Sequence, residues 1–247
     1  MKLAESIGIR VPQIHRIVQE TGASSTGGQF LIMTRVGGRA LQDAWLTLSW
    51  WSTSLVNQTQ RSLRRYIRTT RQCTSVTAGG LVSGSAFCKF WDFDSYGPEL
   101  HASPENLREY MNWWFLRLPS TKPQFHLELN PFSTFMFSHM DLHTRNMMVD
   151  ERDQLWLIDW GSAGYYPLFF ERVALRTMKW YLAGWAGRLM AWRWKFFQRF
   201  SAGSVPDKAD SLDFIRLRTT RQANTRKGFP SERVTREAER ARRRQMT

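Results

Sequence analysis

Apolar positions along the chain recur with two periods, and the breaks between them mark out the elements. Leu3, Ala4 and Ile7 fall at helical spacing, with Gly8 where a capping glycine belongs, so Met1 to Ile9 reads as the end of a helix. Val11-Pro12 forces extended backbone, because the residue before a proline is driven out of the α region, and Ile14 to Val18 continues as a strand. A turn over Gly22 to Gly28 leads to a second short apolar strand, Phe30 to Thr34, which Gly37-Gly38 break before a helix starts at Leu41 to Trp45. Trp51 to Arg71 has the period of a longer amphipathic helix, with Leu55, Leu63 and Ile67 inward and Arg61, Arg64, Arg65, Arg68 and Arg71 outward as a solvated face.

The second half continues in the same way. Thr74 to Pro98 is rich in Gly, Ser and aromatics without a sustained period, which predicts a long loop with short extended pieces. Ser103-Pro104-Glu105-Asn106 is a helix start, serine at the N-cap and proline at the first helical position, and it offers Tyr110, Trp113 and Trp114 to a core. Phe132 to Ser138 suits a helix end or a buried strand. Met147 to Asp150 and Leu155 to Asp159, two apolar runs around the polar Glu151-Arg152-Asp153-Gln154, read as a β-hairpin. Pro167 to Gln198 mixes bulky apolar residues with Arg and Lys, as large buried helices do, and its tryptophans read as core. The run from Trp180 to Trp192 contains Arg188 and falls short of the roughly 18 apolar residues that a membrane span needs. Ser201 to Asp210 looks like a boundary, Ser211 to Arg218 can add one more turn of helix, and residues 215–247 are expected as a basic tail, either disordered or a marginal helix over Glu232 to Arg244.

Composition changes this picture in few places. A chain of 247 residues can build one large domain or two lobes without disulfides, and Cys73 and Cys88 have no zinc or redox spacing. Neither a secretory signal nor a spanning helix is visible, so the expected location is cytoplasmic. The net charge of +14 would point to nucleic acid or an anionic surface. Its distribution argues otherwise, since Arg216 to Thr247 carries +8 of the excess in a polar tail without aromatic interleaving. Nucleic acid is therefore disfavoured as a partner, a small-molecule acceptor stays open, and nothing specifies an oligomeric state.

The chemistry concentrates in Ser138 to Gly161, SHMDLHTRNMMVDERDQLWLIDWG. Asn146 precedes the first strand of the expected hairpin and Asp159 ends the second, so antiparallel pairing brings an amide and a carboxylate together. Both are hard oxygen ligands of the kind magnesium prefers, and magnesium completes its octahedron with waters and substrate phosphates. Asp141, in the loop before Asn146, can face the same space and deprotonate an attacking hydroxyl. His139 is expected to brace the loop by hydrogen bonding. His143 reads equally as a phosphate or substrate contact and as an exposed loop histidine. HMDLHTRN followed by DWG fits the kinase catalytic-loop pattern HxDLxxxN and the metal-binding DxG.

HMDLHTRNMMVD with LIDWGSAGYYPLFFE closely resembles the aminoglycoside phosphotransferase and choline kinase-like family, and IDW with AGYYP looks most like its fungal members. GIRVPQIHRI, FLIMTRVGGRALQDAW and the YGPEL segment resemble further parts of that family, so the likeness covers about Ala4 to Trp180. The resemblance implies an α+β, protein-kinase-like fold with a truncated, β-containing N-lobe and a larger, mainly helical C-lobe that carries the catalytic-loop hairpin. The implied domains are residues 1–36 (N-lobe remnant and hinge), 37–214 (C-lobe) and the tail. It implies ATP and Mg2+ as cofactors, Asp141 as catalytic base supported by His139, Asn146 and Asp159 as metal ligands, and Met33, Thr34 and Arg35 as the hinge that meets adenine. The family's glycine-rich loop, strand lysine and paired helix glutamate have no counterpart ahead of the hinge. Lys2 lies in what should be the end of the helix, too late in the chain to match the strand lysine, and Glu5 sits too close to Gly8 to match the paired glutamate. Two functions follow as alternatives, phosphoryl transfer to a hydroxyl or a non-catalytic interaction module, with an incomplete gene product as a variant of the second.

Overall fold

The computed structural model of the protein describes residues 1–19, 29–47, 53–81, 83–84, 100–115, 133–176 and 184–203. The expected turn at Gly22 to Gly28, most of the loop up to Pro98 and the basic tail lie outside them. Helices and strands are both present, as an α+β chain requires, and they belong to two compact units. One comprises Met1–Thr70, Leu142–Trp160 and Leu182–Ala202, the other Arg71–Asp141, Gly161–Tyr181 and Gly203–Thr247.

The first unit opens with α1 (Lys2–Ser6), which ends where the sequence places the capping glycine. Gly8 is left-handed at φ 79°, its N–H donates to the Glu5 carbonyl at 2.9 Å, and the Ile9 N–H reaches back to the Ala4 carbonyl at 3.0 Å. That pair of bonds is a Schellman cap. Strands β1 (Ile14–Gln19) and β2 (Gln29–Met33) then form an antiparallel hairpin with Ile17 opposite Leu31. Its apolar side chains Ile17, Phe30 and Ile32 are exposed, because the described residues bring no further strand or helix over it.

Strand β3 (Arg39–Ala40) runs directly into α2 (Leu41–Thr47), and α3 (Thr53–Thr70) follows. The inward residues expected of α3, Leu55, Leu63 and Ile67, are all buried. Gly38 is fixed by its surroundings as well as by its φ of 134°: a Cβ there would collide with the Val149 carbonyl oxygen and lie 2.7 Å from the Asp150 Cα. The glycine pair that breaks the apolar run thus lets the chain press against a neighbouring strand.

In the second unit, β4 (Thr74–Ser75) and β5 (Gly79–Gly80) are the short extended pieces expected within the loop, and α4 (Pro104–Phe115) starts as predicted. The Ser103 hydroxyl accepts the Asn106 N–H at 3.1 Å, an N-cap bond to the third helical residue. Tyr110 is buried and Trp113 partly so, while the side chain of Trp114 lies outside the described residues. Residues Phe135–Ser138 resolve the open choice in favour of a buried strand, β6.

The hairpin is β7 (Met147–Val149) and β8 (Leu155–Leu157), with Met147 opposite Leu157, and β3 adds the third strand of that sheet. Strand β9 (Gly164–Tyr166) completes a four-stranded sheet in the second unit, in the order β4-β6-β9-β5. Gly164 is required there because a Cβ would sit 2.5 Å from the Gly79 carbonyl oxygen across the pair. Helix α5 (Phe170–Arg176) buries Phe170, Val173 and Ala174 in a core with Leu107, Tyr110 and Met111.

Helix α6 (Gly184–Ala202) departs from the buried helix expected over this region. Trp194 and Phe197 are buried and pack with Trp45 of α2 at ring centroids of 5.5 and 5.4 Å, but Trp185, Trp192 and Phe196 are 74%, 60% and 62% exposed. The helix has aromatics on both sides, so density of apolar residues alone did not reveal which side packs against α3.

Candidate functional site

The motif is divided between the two units, at Asp141 and Leu142 and again at Trp160 and Gly161. In the second unit, β6 delivers the chain to His139, and Met140 then takes a left-handed conformation at φ 65°. A bulky residue adopts that conformation only where the surroundings hold it. Met140 is itself fully buried, and the carboxylate of Glu171, from the first turn of α5, takes the backbone N–H of His139 at 2.7 Å. A longer approach, 3.5 Å, comes from the Met140 N–H. His139 Nδ1 in turn accepts the N–H of Asp141 at 3.3 Å, which leaves the ring proton on Nε2. His139 is buried and serves the loop as the expected brace.

Glu171 is 4% exposed, and its Oε1 has no hydrogen-bond partner among the described residues. Burial pushes its carboxyl up to about 7, against the opposing pull of the Met140 and His139 N–H groups, the Arg71 charge and the Ser138 hydroxyl. Arg71, expected on a solvated face, thus lies just beyond α3 and acts on a buried acid. Nothing in the spacing of the sequence singled out Glu171. The available signal was an acid within the apolar run Phe169 to Leu175, flanked by buried Phe170 and Val173.

In the first unit the hairpin sets Asn146 opposite Ile158, the residue before Asp159. The Ile158 N–H donates to the Asn146 carbonyl oxygen at 3.0 Å, a backbone hydrogen bond at the open end of the β7–β8 ladder. Asn146 is buried. Asp159 is exposed and left-handed at φ 59°, and no hydrogen bond or ion pair engages its carboxylate among the described residues. Trp160 holds the turn from the other side, buried and donating its indole N–H to the Leu157 carbonyl at 3.1 Å. His143 accepts the Arg145 N–H on Nδ1 at 3.1 Å, and its carbonyl accepts the Asn146 N–H at 2.9 Å, both within the loop.

The far end of the hairpin is closed by Asp150. One carboxylate oxygen accepts the N–H groups of Arg152 and Gln154, each at 2.9 Å, and the other accepts the Trp156 indole N–H at 2.9 Å. Burial raises the Asp150 carboxyl, but the hydrogen bonds from Trp156, Gln154 and Arg152, with the Arg10 charge, together bring it below its usual value. This acid fixes the hairpin register and, through it, the spacing of Asn146 and Asp159. It too went unassigned in the sequence.

The expected hinge begins where β2 ends. Met33 pairs with Ile14, and the Thr34 N–H donates to the Gln13 carbonyl at 2.8 Å, with the Thr34 hydroxyl 2.9 Å from His15 Nε2. One of the backbone donors that a base could have used is therefore already taken within the β1–β2 hairpin.

An amide and an acid are hard oxygen donors of the kind that suits magnesium, which takes few protein ligands and fills its shell with water and phosphate. Among the described residues no cluster of three or more His, Cys, Asp or Glu is placed to hold a metal on its own. Donors of this kind, on a mixed α+β chain with HMDLHTRN and DWG in that order, mark a phosphoryl-transfer protein. The family model of the phosphotransferase enzyme family matches residues 1–193, and the chain belongs to that family. No curated protein matches the sequence. No helix among the described residues is long and apolar enough to cross a membrane.

Proposed function

We propose that the protein transfers the γ-phosphoryl group of Mg-ATP to a hydroxyl of a small-molecule acceptor on a protein-kinase-like fold. The observation that carries this reading is the Ile158 N–H bond to the Asn146 carbonyl, which sets Asn146 opposite the residue just before Asp159, in a chain of the phosphotransferase family. Asn146 and Asp159 would hold magnesium, and the bound ion would neutralise charge on the transferred phosphoryl group. Asp141 takes the proton of the attacking hydroxyl, with His139 and Glu171 fixing the loop that presents it. Met33 to Arg35 form the hinge towards adenine, where the Arg35 backbone and the carbonyls offer contacts left open by Thr34.

The second reading is a non-catalytic interaction module. Ahead of Met33 the only lysine and the first glutamate, Lys2 and Glu5, both sit on α1 beside its cap, and no glycine-rich loop accompanies them. Phosphoryl transfer depends on positioning and charge stabilisation, so the lack of those phosphate contacts predicts weak nucleotide binding by a polypeptide of these 247 residues.

Titration calorimetry with Mg-ATP and a product-release assay separate the two. Weak, magnesium-dependent binding that disappears in Asp159→Ala, with turnover abolished in Asp141→Asn at nearly unchanged nucleotide affinity, supports the enzyme. An active Asp141→Asn variant would remove that residue from the base role, and nucleotide binding insensitive to magnesium and to Asp159→Ala would leave the second reading standing.

A further inference from the structure

Helices α3 and α6 of the first unit leave an open cavity of about 290 Å³ between them, lined by none of the motif residues. Its walls are mainly apolar: Val56 from α3 and Trp192, Phe196 and Phe197 from α6. Trp192 and Phe196 lie roughly parallel, with centroids 6.1 Å apart and planes inclined by 30°, and both are more than half exposed along the cavity side of the helix. Pockets of this kind gain specificity from a few convergent polar groups, and three are present. They are Asn57, Gln60 and Arg193.

Gln60 is 6% exposed yet makes only one long hydrogen bond among the described residues, its amide nitrogen 3.5 Å from the Phe197 carbonyl oxygen. A buried carboxamide that is not fully engaged is costly unless something else meets it. Arg193 is partly buried, with its guanidinium carbon 5.5 Å from the centre of the Trp45 ring. Desolvation lowers its pKa, and no carboxylate among the described residues makes an ion pair with it. The reason is visible in the sequence: Thr53–Thr70 and Gly184–Ala202 contain no Asp or Glu, against Arg61, Arg64, Arg65 and Arg68 on α3 and Arg188, Arg193, Lys195 and Arg199 on α6. A helix pair with cations on both members and no acid on either has nothing of its own to neutralise Arg193.

We propose that this cavity is a binding site for an aromatic carboxylate, its ring lying against Trp192 and Phe196 and its carboxylate meeting Arg193 and the Gln60 amide. The ring surface supplies the apolar contact. The guanidinium selects the anion, because a planar fork of N–H donors matches a carboxylate in two parallel bonds. Neither group would suffice alone: the cavity is too open to hold a neutral ring tightly, and a partly solvated arginine binds a simple anion weakly.

The test uses the full chain and two probes that differ only in the polar head, 2-naphthoate and 2-naphthalenemethanol. Trp192 borders the site, so intrinsic fluorescence reads occupancy, and calorimetry confirms it. Saturable binding of 2-naphthoate, at least about tenfold tighter than the alcohol, with the preference lost in Arg193→Gln and partly kept in Arg193→Lys, is the expected result. Equal binding of both probes, no binding of either, or an undiminished preference in Arg193→Gln would overturn the proposal. Thermal unfolding of each variant checks that it is folded. Should Arg193→Gln fail to fold, Phe196→Ser, a change at an exposed position, replaces it: affinity for 2-naphthoate must fall, and affinity kept there overturns the site.

Discussion

Replacing Glu171 by glutamine isolates the group that holds the Asp141 loop. The folded protein binds the Glu171 proton more tightly than the unfolded chain does, since burial raises the carboxyl from the usual 4.5 to about 7. A raised carboxyl pKa makes stability greatest below the unfolded value and lowers it as pH rises through the folded one. At roughly 1.4 kcal/mol per pH unit over that interval, the group makes the native state about 3 kcal/mol less stable at pH 8 than at pH 4. Glutamine keeps an oxygen for the His139 N–H and cannot ionise, so this pH-dependent part vanishes in Glu171→Gln while the loop stays anchored.

Urea unfolding followed by far-ultraviolet circular dichroism at pH 4.5, 6 and 8 measures it, provided the denaturant slope is the same in both proteins. Only the difference between wild type and variant is used, which cancels every other titrating group. Glu171→Gln should gain on wild type by about 3 kcal/mol between the two ends of that range. A constant difference across pH would refute the reasoning, for it would mean that the buried carboxyl keeps one charge state throughout. Glu171→Ala compared with Glu171→Gln separates anchoring from charge: it leaves the His139 N–H without an acceptor, at a cost relative to the glutamine variant of about 1 to 3 kcal/mol that does not depend on pH.

Asp150→Ala removes the acceptor of three hydrogen bonds and should lower the stability of the protein by about 2 kcal/mol at pH 7 in the same assay. Because the Asp150 carboxyl lies below its usual value, wild type loses that contribution as the pH falls below about 4 and the variant does not. Gly38→Ala places a methyl group against the Val149 carbonyl at a φ that side chains rarely adopt, and should cost at least about 2 kcal/mol. A neutral result there would show that the β3–β7 contact is not close. Ser103→Ala should cost about 1 kcal/mol by removing the N-cap of α4, measured as a shift of the urea midpoint at constant slope.

Local chemistry was legible in the sequence wherever one residue type carries the whole signal. Gly8 caps α1, Ser103 and Pro104 start α4, and the polar run after Val149 turns the hairpin, each with the geometry its residue demands. Long-range partners were not legible. Glu171 lies far along the chain from His139, and an acid in an apolar run says only that it will need a partner. The side of α6 that packs was hidden for a related reason, since Trp185, Trp192, Trp194 and Phe197 are alike in hydropathy and differ only in what stands opposite. Gly164 carried no visible reason for its identity until β5 was seen to press against it.

The two left-handed residues of the motif connect these levels. Met140 stands immediately before Asp141, and Asp159 is itself the expected metal ligand, with φ of 65° and 59°. Such conformations cost of order 1 to 3 kcal/mol for residues other than glycine and persist only where neighbours fix them. Each has its own fixing group within its own unit: Glu171 on the N–H groups of His139 and Met140, and Trp160 anchored to the Leu157 carbonyl together with the Ile158 N–H on Asn146. A glycine at Met140 would relieve the strain and release the backbone, but it also empties a buried position in the core, so stability should fall by about 2 to 5 kcal/mol while the Asp141 loop loses its aim. If the proposed phosphoryl transfer operates, Met140→Gly should therefore lower turnover without a matching loss of nucleotide affinity, and an unchanged turnover would detach the strained loop from the chemistry.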